Sequence, residues 1–269
     1  MNTIDSLKIA LEFYRDLGFE RLPLEIESSQ FMHAPQNVIA RSGATRQSNS
    51  LEIASPMARN DSAVKDFPDT SLDKTAAFNS LREEIGDCRR CKLSNGRTNI
   101  VFGEGNADAS IMFIGEAPGK DEDIQARPFV GEAGQILTSL ITNMGKASGL
   151  NFTREDVYIA NIVKCRPAAN RDPHDDEIAA CLPFLERQID IIAPKVIMAL
   201  GKIASHTLMG LKTPLSKFSI VKIRGHFFEY KGIPVMPTFH PAYFLRNPKD
   251  KQLTWADAQE VLKRLAEAR

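Results

Sequence analysis

This chain carries no surplus of charge. Its 34 Lys and Arg are cancelled by 34 Asp and Glu, which excludes a histone-like polycation and an acidic disordered chain. No stretch approaches about eighteen consecutive apolar residues, so no membrane-spanning helix is expected. A secretion signal is not expected either, because the opening MNTIDSLKIALEFYRDLGFE interleaves charges with its apolar residues. A cytosolic chain is the expectation. Cysteine is scarce, with 4 in 269 residues: Cys88, Cys91, Cys165 and Cys181, spaced C-x2-C and then C-x15-C. Disulfides are disfavoured in a reducing cytosol, where a C-x-x-C pair points instead to a metal or redox site.

What is present suffices for one large domain, since 43% of the residues are apolar. Residues 1–80 hold 8 Lys and Arg against 11 Asp and Glu, a net of −3, and the rest carries the balancing +3. Composition changes in the same region. Residues 1–24 place Ile4, Leu7, Leu11 and Tyr14 at helical spacing, for a helix docked on its own domain or tethered for a protein partner. Residues 25–74 are rich in Ser, Asn, Asp and Pro and read as a disordered linker. From residue 75 to 269 apolar runs alternate with amphipathic stretches. Strands are expected at 110–115, 156–163, 195–200 and 233–239, with a further pair around 219–230. Helices are expected at 131–146, 175–193, from 201, and over 250–267. This order predicts an α/β fold: a three-layer α/β/α sandwich around a mainly parallel, four-stranded sheet.

Three polar segments follow expected strands, where open α/β sheets bind ligands. Gly115-Glu116-Ala117-Pro118-Gly119 forms a tight turn whose amides can face a carbonyl or phosphate. Asn161 ends VYIAN with a donor and an acceptor, the pair that reading a base edge requires. His240 opens a rigid His-Pro turn. For the cysteines, spacing alone admits a four-thiolate zinc site as readily as an iron–sulfur cluster.

Together, G-E-A-P-G, R-P-F-V-G-E-A-G at 127–134, N-I-V-K-C-R-P at 161–167, N-R-D-P at 170–173 and H-P-A-Y at 240–243 resemble the family 4 uracil-DNA glycosylases over roughly residues 75–269. The resemblance implies a uracil-DNA glycosylase fold acting on uracil-containing DNA, as a monomer, with a 4Fe–4S cluster on Cys88, Cys91, Cys165 and Cys181. It implies that a flipped uracil stacks on Phe129 and that Asn161 pairs with its O4 and N3–H edge. His240 then donates to O2 as charge develops there, while Glu116, Ala117 and Gly119 contact base or water. Some other uracil glycosylases carry Asp where Ala117 stands, which makes Glu116 the nearest carboxylate. Leu245, or Phe244, would wedge into the duplex while Arg246 holds a phosphate, with Lys164, Arg166, Arg171, Lys249 and Lys251 as a basic track. The rival is a uracil-DNA binding or docking module with little turnover, for which His174 is a candidate covalent attacker.

Overall fold

The computed structural model describes residues 70–267, so the helix expected over 1–24 and the linker up to residue 69 lie outside it. Helix α1 spans Thr70–Ile85 and takes in the last five residues of the expected linker. The strands are β1 (Glu104–Gly105), β2 (Ile111–Gly115), β3 (Tyr158–Asn161), β4 (Val196–Leu200), β5 (Phe228–Tyr230) and β6 (Ile233–Thr238). The other helices are α2 (Lys120–Gln125), α3 (Glu132–Ser148), α4 (Asp175–Ile192), α5 (Lys202–Leu208), α6 (Ile220–Ile223) and α7 (Lys251–Glu267).

The sheet order is β1-β3-β2-β4-β6-β5. Four central strands run parallel, as expected, but the sheet has six members rather than four. Short β1 and β5 add antiparallel edges. Strands of two and three residues carry no readable period, so these edges were invisible to pattern. The pair expected at 219–230 is likewise only half strand. Residues 220–223 form one helical turn, because Arg224 turns down onto Asp257 of α7 (3.0 Å) and Gly225 adopts φ +79°. The β3 strand stops at Asn161 rather than at 163, level with the last residue of β2.

Alternation along the central strands builds two cores. Met112 and Ile114 pack with Ala160, Ile197 and Ala199 beneath Leu81 of α1, Leu185 and Ile189 of α4, and Ala204 of α5. Ile111 and Phe113 point the other way, with Ile159, Met198 and Met236, under α3 and α7. In α3 the buried residues Leu137, Leu140, Ile141 and Met144 form one helical stripe, and Gly149 closes the helix at φ +71°. Both faces of the parallel strands are thus covered, which is why they read as unbroken apolar runs. The carboxyl ends of β2, β3 and β6 are left to open on one side.

Candidate active site

A cleft of about 680 Å³ sits over those strand ends. Glu116, Ala117, Gly119, Phe129, Asn161 and His240 all line it. So do Leu245 and Arg246, more than eighty residues further along the chain than Asn161.

Phe129 precedes α3 with φ +52°, a left-handed conformation that an aromatic residue adopts only when its surroundings impose it. Glu122 imposes it from α2: its Oε1 accepts the amides of Val130 (2.8 Å) and Gly131 (2.9 Å). Arg154 donates to the Pro128 carbonyl, and Gly134 lies so close beneath that a Cβ there would stand 1.9 Å from the Phe129 oxygen. The ring is buried and lies 5.5 Å from that of His240.

Opposite Phe129 stands the Asn161 amide, 1% exposed, whose buried Oδ1 has no hydrogen-bond partner. Gly115 keeps the two apart. A Cβ added there would lie 2.5 Å from Asn161 Oδ1 and 2.5 Å from the Phe129 ring, so the slot exists because residue 115 has no side chain. The strand loops are tied beside it by Ile162 N–H to the Gly115 carbonyl (2.9 Å) and Val163 N–H to that of Glu116 (3.1 Å).

His240 leaves β6 and starts a 3-10 turn, Pro241–Leu245. Its Nδ1 accepts the Ala242 amide at 3.2 Å, which leaves the ring proton on Nε2. Burial pushes its pKa down to about 4, so the ring is neutral at pH 7. Gly201, at φ +94°, allows this approach: a Cβ would meet that of His240 at 2.8 Å. The Glu116 carboxyl is pushed up to about 7, by burial first and by the charge of Asp172 second. A group that titrates near neutrality inside a cleft is suited to proton or water chemistry.

The turn after His240 divides its apolar residues. Phe244 is buried, whereas Leu245 is 49% exposed. Tyr243 stacks on Phe239 at 4.6 Å and donates to Asp250, which braces the turn. One member of the expected basic track is a correction: Lys164 is 1% exposed and cannot meet a phosphate, whereas Arg171 lines the cleft while paired with Glu177 at 2.7 Å. His174 is also taken up elsewhere: it caps α4 and its Nδ1 contacts Lys92 Nζ at 3.0 Å.

The four cysteines come from the segment after α1, the loop after β3 and helix α4. Cys165 feels the charges of Cys181 and Cys91, and Cys181 those of Cys91 and Cys88, so they share one neighbourhood. Three of the sulfurs meet donors: Lys164 N–H reaches Cys181 (3.2 Å), Arg97 reaches Cys165 (3.4 Å) and Arg90 reaches Cys88 (3.4 Å). Among the described residues, no three His, Cys, Asp or Glu side chains are gathered for a single metal ion.

Pattern reading did not find Gly201 or Glu122, and it named Gly115 and Lys164 without the roles that the structure gives them. The two glycines carry a signal, since each directly follows an apolar strand, as close-approach glycines do. Glu122 and Lys164 carry none, because their partners lie on other segments.

Comparison with known proteins agrees with this geometry. Residues 102–264 match the uracil DNA glycosylase superfamily. A type-4 uracil-DNA glycosylase of Saccharolobus solfataricus is 46% identical over 190 residues, covering 69% of this chain and 85% of that protein. One from Thermotoga maritima is 49% identical over 168 residues, covering 62% and 82% respectively. At 29% identity, a DNA polymerase of Bacillus phage SP01 matches along 17% of its own length.

Proposed function

Because the chain belongs to the uracil DNA glycosylase superfamily, we propose that it removes uracil from DNA by hydrolysing the N-glycosidic bond, leaving an abasic site for base excision repair. The observation that carries this reading is the orphaned Asn161 Oδ1. A buried acceptor without a partner costs about 1–3 kcal/mol, and the N3–H of a flipped uracil relieves that cost. The amide's Nδ2 then donates to O4. Cytosine offers an acceptor at N3 and a donor at C4, so it mismatches both atoms of the same amide. Phe129 covers the face of the base across the Gly115 slot.

Bond cleavage leaves negative charge on the uracil and positive charge on the sugar. His240 Nε2–H donates to O2, where the negative charge grows. A neutral donor serves here, because its hydrogen bond strengthens as the oxygen becomes anionic. Glu116, ionised above about pH 7, orients the water or faces the sugar cation. Leu245, exposed beside Arg246, fills the space vacated by the base while the guanidinium holds a phosphate.

Cys88, Cys91, Cys165 and Cys181 fit a 4Fe–4S cluster. Four thiols from three segments share one neighbourhood, and N–H donors reach three of the sulfurs. The cluster's contribution when bound is a covalent staple between α1, the β3 loop and α4. Incubation with an oligonucleotide bearing a single uracil, followed by alkali, tests the activity. Cleavage at the uracil position is expected, and an intact strand at every enzyme concentration refutes it in favour of a binding module.

A further inference from the structure

Lys164 is an anomaly in the core. Its side chain is among the largest fully buried in the protein, at 1% exposure. No carboxylate meets it. Its Nζ donates to the Asn161 carbonyl (2.9 Å) and to Gln188 Oε1 (2.6 Å). Gln188, itself buried in α4, is anchored by donating to the Phe102 carbonyl (2.8 Å) and the Tyr158 hydroxyl (3.2 Å). Lys164's own backbone is held at both ends, its N–H by Cys181 Sγ (3.2 Å) and its carbonyl by Val101 N–H (2.8 Å).

Burying an ammonium whose Nζ meets only amide oxygens is costly, and a methionine would fill the same volume without that cost. The lysine supplies directed donors, and one of them ends on the residue that faces the cleft. The N–H of the same peptide, on Ile162, goes to the Gly115 carbonyl of β2, so the Asn161 carbonyl points the opposite way, toward β1, whose ladder with β3 ends at Glu104 and Ile159. The Asn161 carbonyl therefore needs a donor from outside the sheet, and its peptide sets where the side-chain amide points.

We propose that Lys164 is a positioning residue: by holding the Asn161 carbonyl from within the core, it fixes the amide that faces the base. This rests on the reading of Asn161 as the base-contacting residue given above. An amide free to rotate offers either its oxygen or its nitrogen to N3, and discrimination then falls. Lys164 touches neither base nor sugar, so its effect passes entirely through Asn161.

The test is a double-mutant cycle on the full-length protein, read as single-turnover excision from a uracil oligonucleotide over a range of enzyme concentrations. Lys164→Met should lower the efficiency roughly tenfold, the scale of one hydrogen bond to a charged donor, with the half-saturating concentration changing more than the maximal rate. Added to Asn161→Ala, it should cost less than about twofold more, because the residue it positions is gone. Added to His240→Ala, it should keep its full effect. Iron content and melting temperature are followed for each variant. If Lys164→Met does not fold, Gln188→Met, which removes the ammonium's anchor, should show the same dependence on Asn161 with a smaller loss. A loss that multiplies in full onto Asn161→Ala, for whichever variant folds, overturns the proposal. Wild-type protein that binds the oligonucleotide without excising uracil refutes the activity instead, and the same cycle is then read in binding constants.

Discussion

In the proposed reaction, the chemistry at His240 depends on where one proton sits. The Ala242 amide occupies Nδ1, so Nε2 carries the hydrogen, and burial keeps the ring uncharged down to about pH 4. His240→Ala should therefore slow single-turnover excision by about 2.7–4 kcal/mol, the scale of one lost oxyanion donor, while uracil-DNA binding changes much less. An unchanged rate in a rapid-quench measurement rules out this electrophilic role. In the same proposal, Glu116 sets the pH dependence. Its pKa is raised to about 7, so the carboxylate is protonated and inactive below that value and ionised above it. Excision should rise with pH through about 7, and Glu116→Gln should be slow and flat over the same range. His240 does not titrate in this window, so a wild-type profile that is level from pH 6 to pH 8 removes Glu116 from the chemistry.

The 3-10 turn Pro241–Leu245 shows how one short element separates stability from DNA contact. Consecutive side chains point to opposite sides, with Phe244 packed inward against Phe239 and Leu245 outward. Phe244→Ala should destabilise the fold by about 3–5 kcal/mol in denaturant titrations, as expected for emptying a buried aromatic site. Leu245→Ala should leave stability within about 0.5 kcal/mol yet slow excision from duplex more than from single-stranded DNA. Equal slowing on both substrates would show that Leu245 does not substitute for the flipped base. Elements of this length are where pattern reading failed: α2, β1 and β5 are too short to display a period. Even so, α2 carries Glu122, which holds Phe129 in place.

Across the whole molecule, three distant segments converge on the cysteines. Replacing Cys88 with Ala should free the segment after α1 and lower the melting temperature before it alters the chemistry at His240, which follows β6, separated from β3 by β2 and β4. Purified wild-type protein should be brown and contain iron; a colourless preparation holding one zinc would overturn the cluster assignment. Every matched motif and every cysteine lies downstream of residue 87, and the described fold begins with α1 at Thr70. A chain lacking residues 1–69 should accordingly retain excision on short oligonucleotides. A truncated protein that melts normally, keeps its iron and has lost most activity would place the N-terminal segment in the site.

The alternation of apolar runs and amphipathic stretches by itself determined the parallel α/β core, because strands buried on both faces and helices buried on one leave different periods. Asn161 and His240 were legible too, since each stands at the end of an apolar run, whereas Phe129 was singled out only by the family resemblance. Only the tertiary structure decided what holds these residues. Lys164 looked like a surface base in the run N-I-V-K-C-R-P, and the fold places it in the core beneath Asn161. Glu122 looked like one more charge in an acidic helix, and it proves to fix the backbone of Phe129. The slot between ring and amide depends on a missing Cβ at Gly115, and its width follows from how two strands and a loop approach one another. Burial and proximity across segments are properties of the folded chain, and they set both the orphaned acceptor at Asn161 and the neutral proton donor at His240.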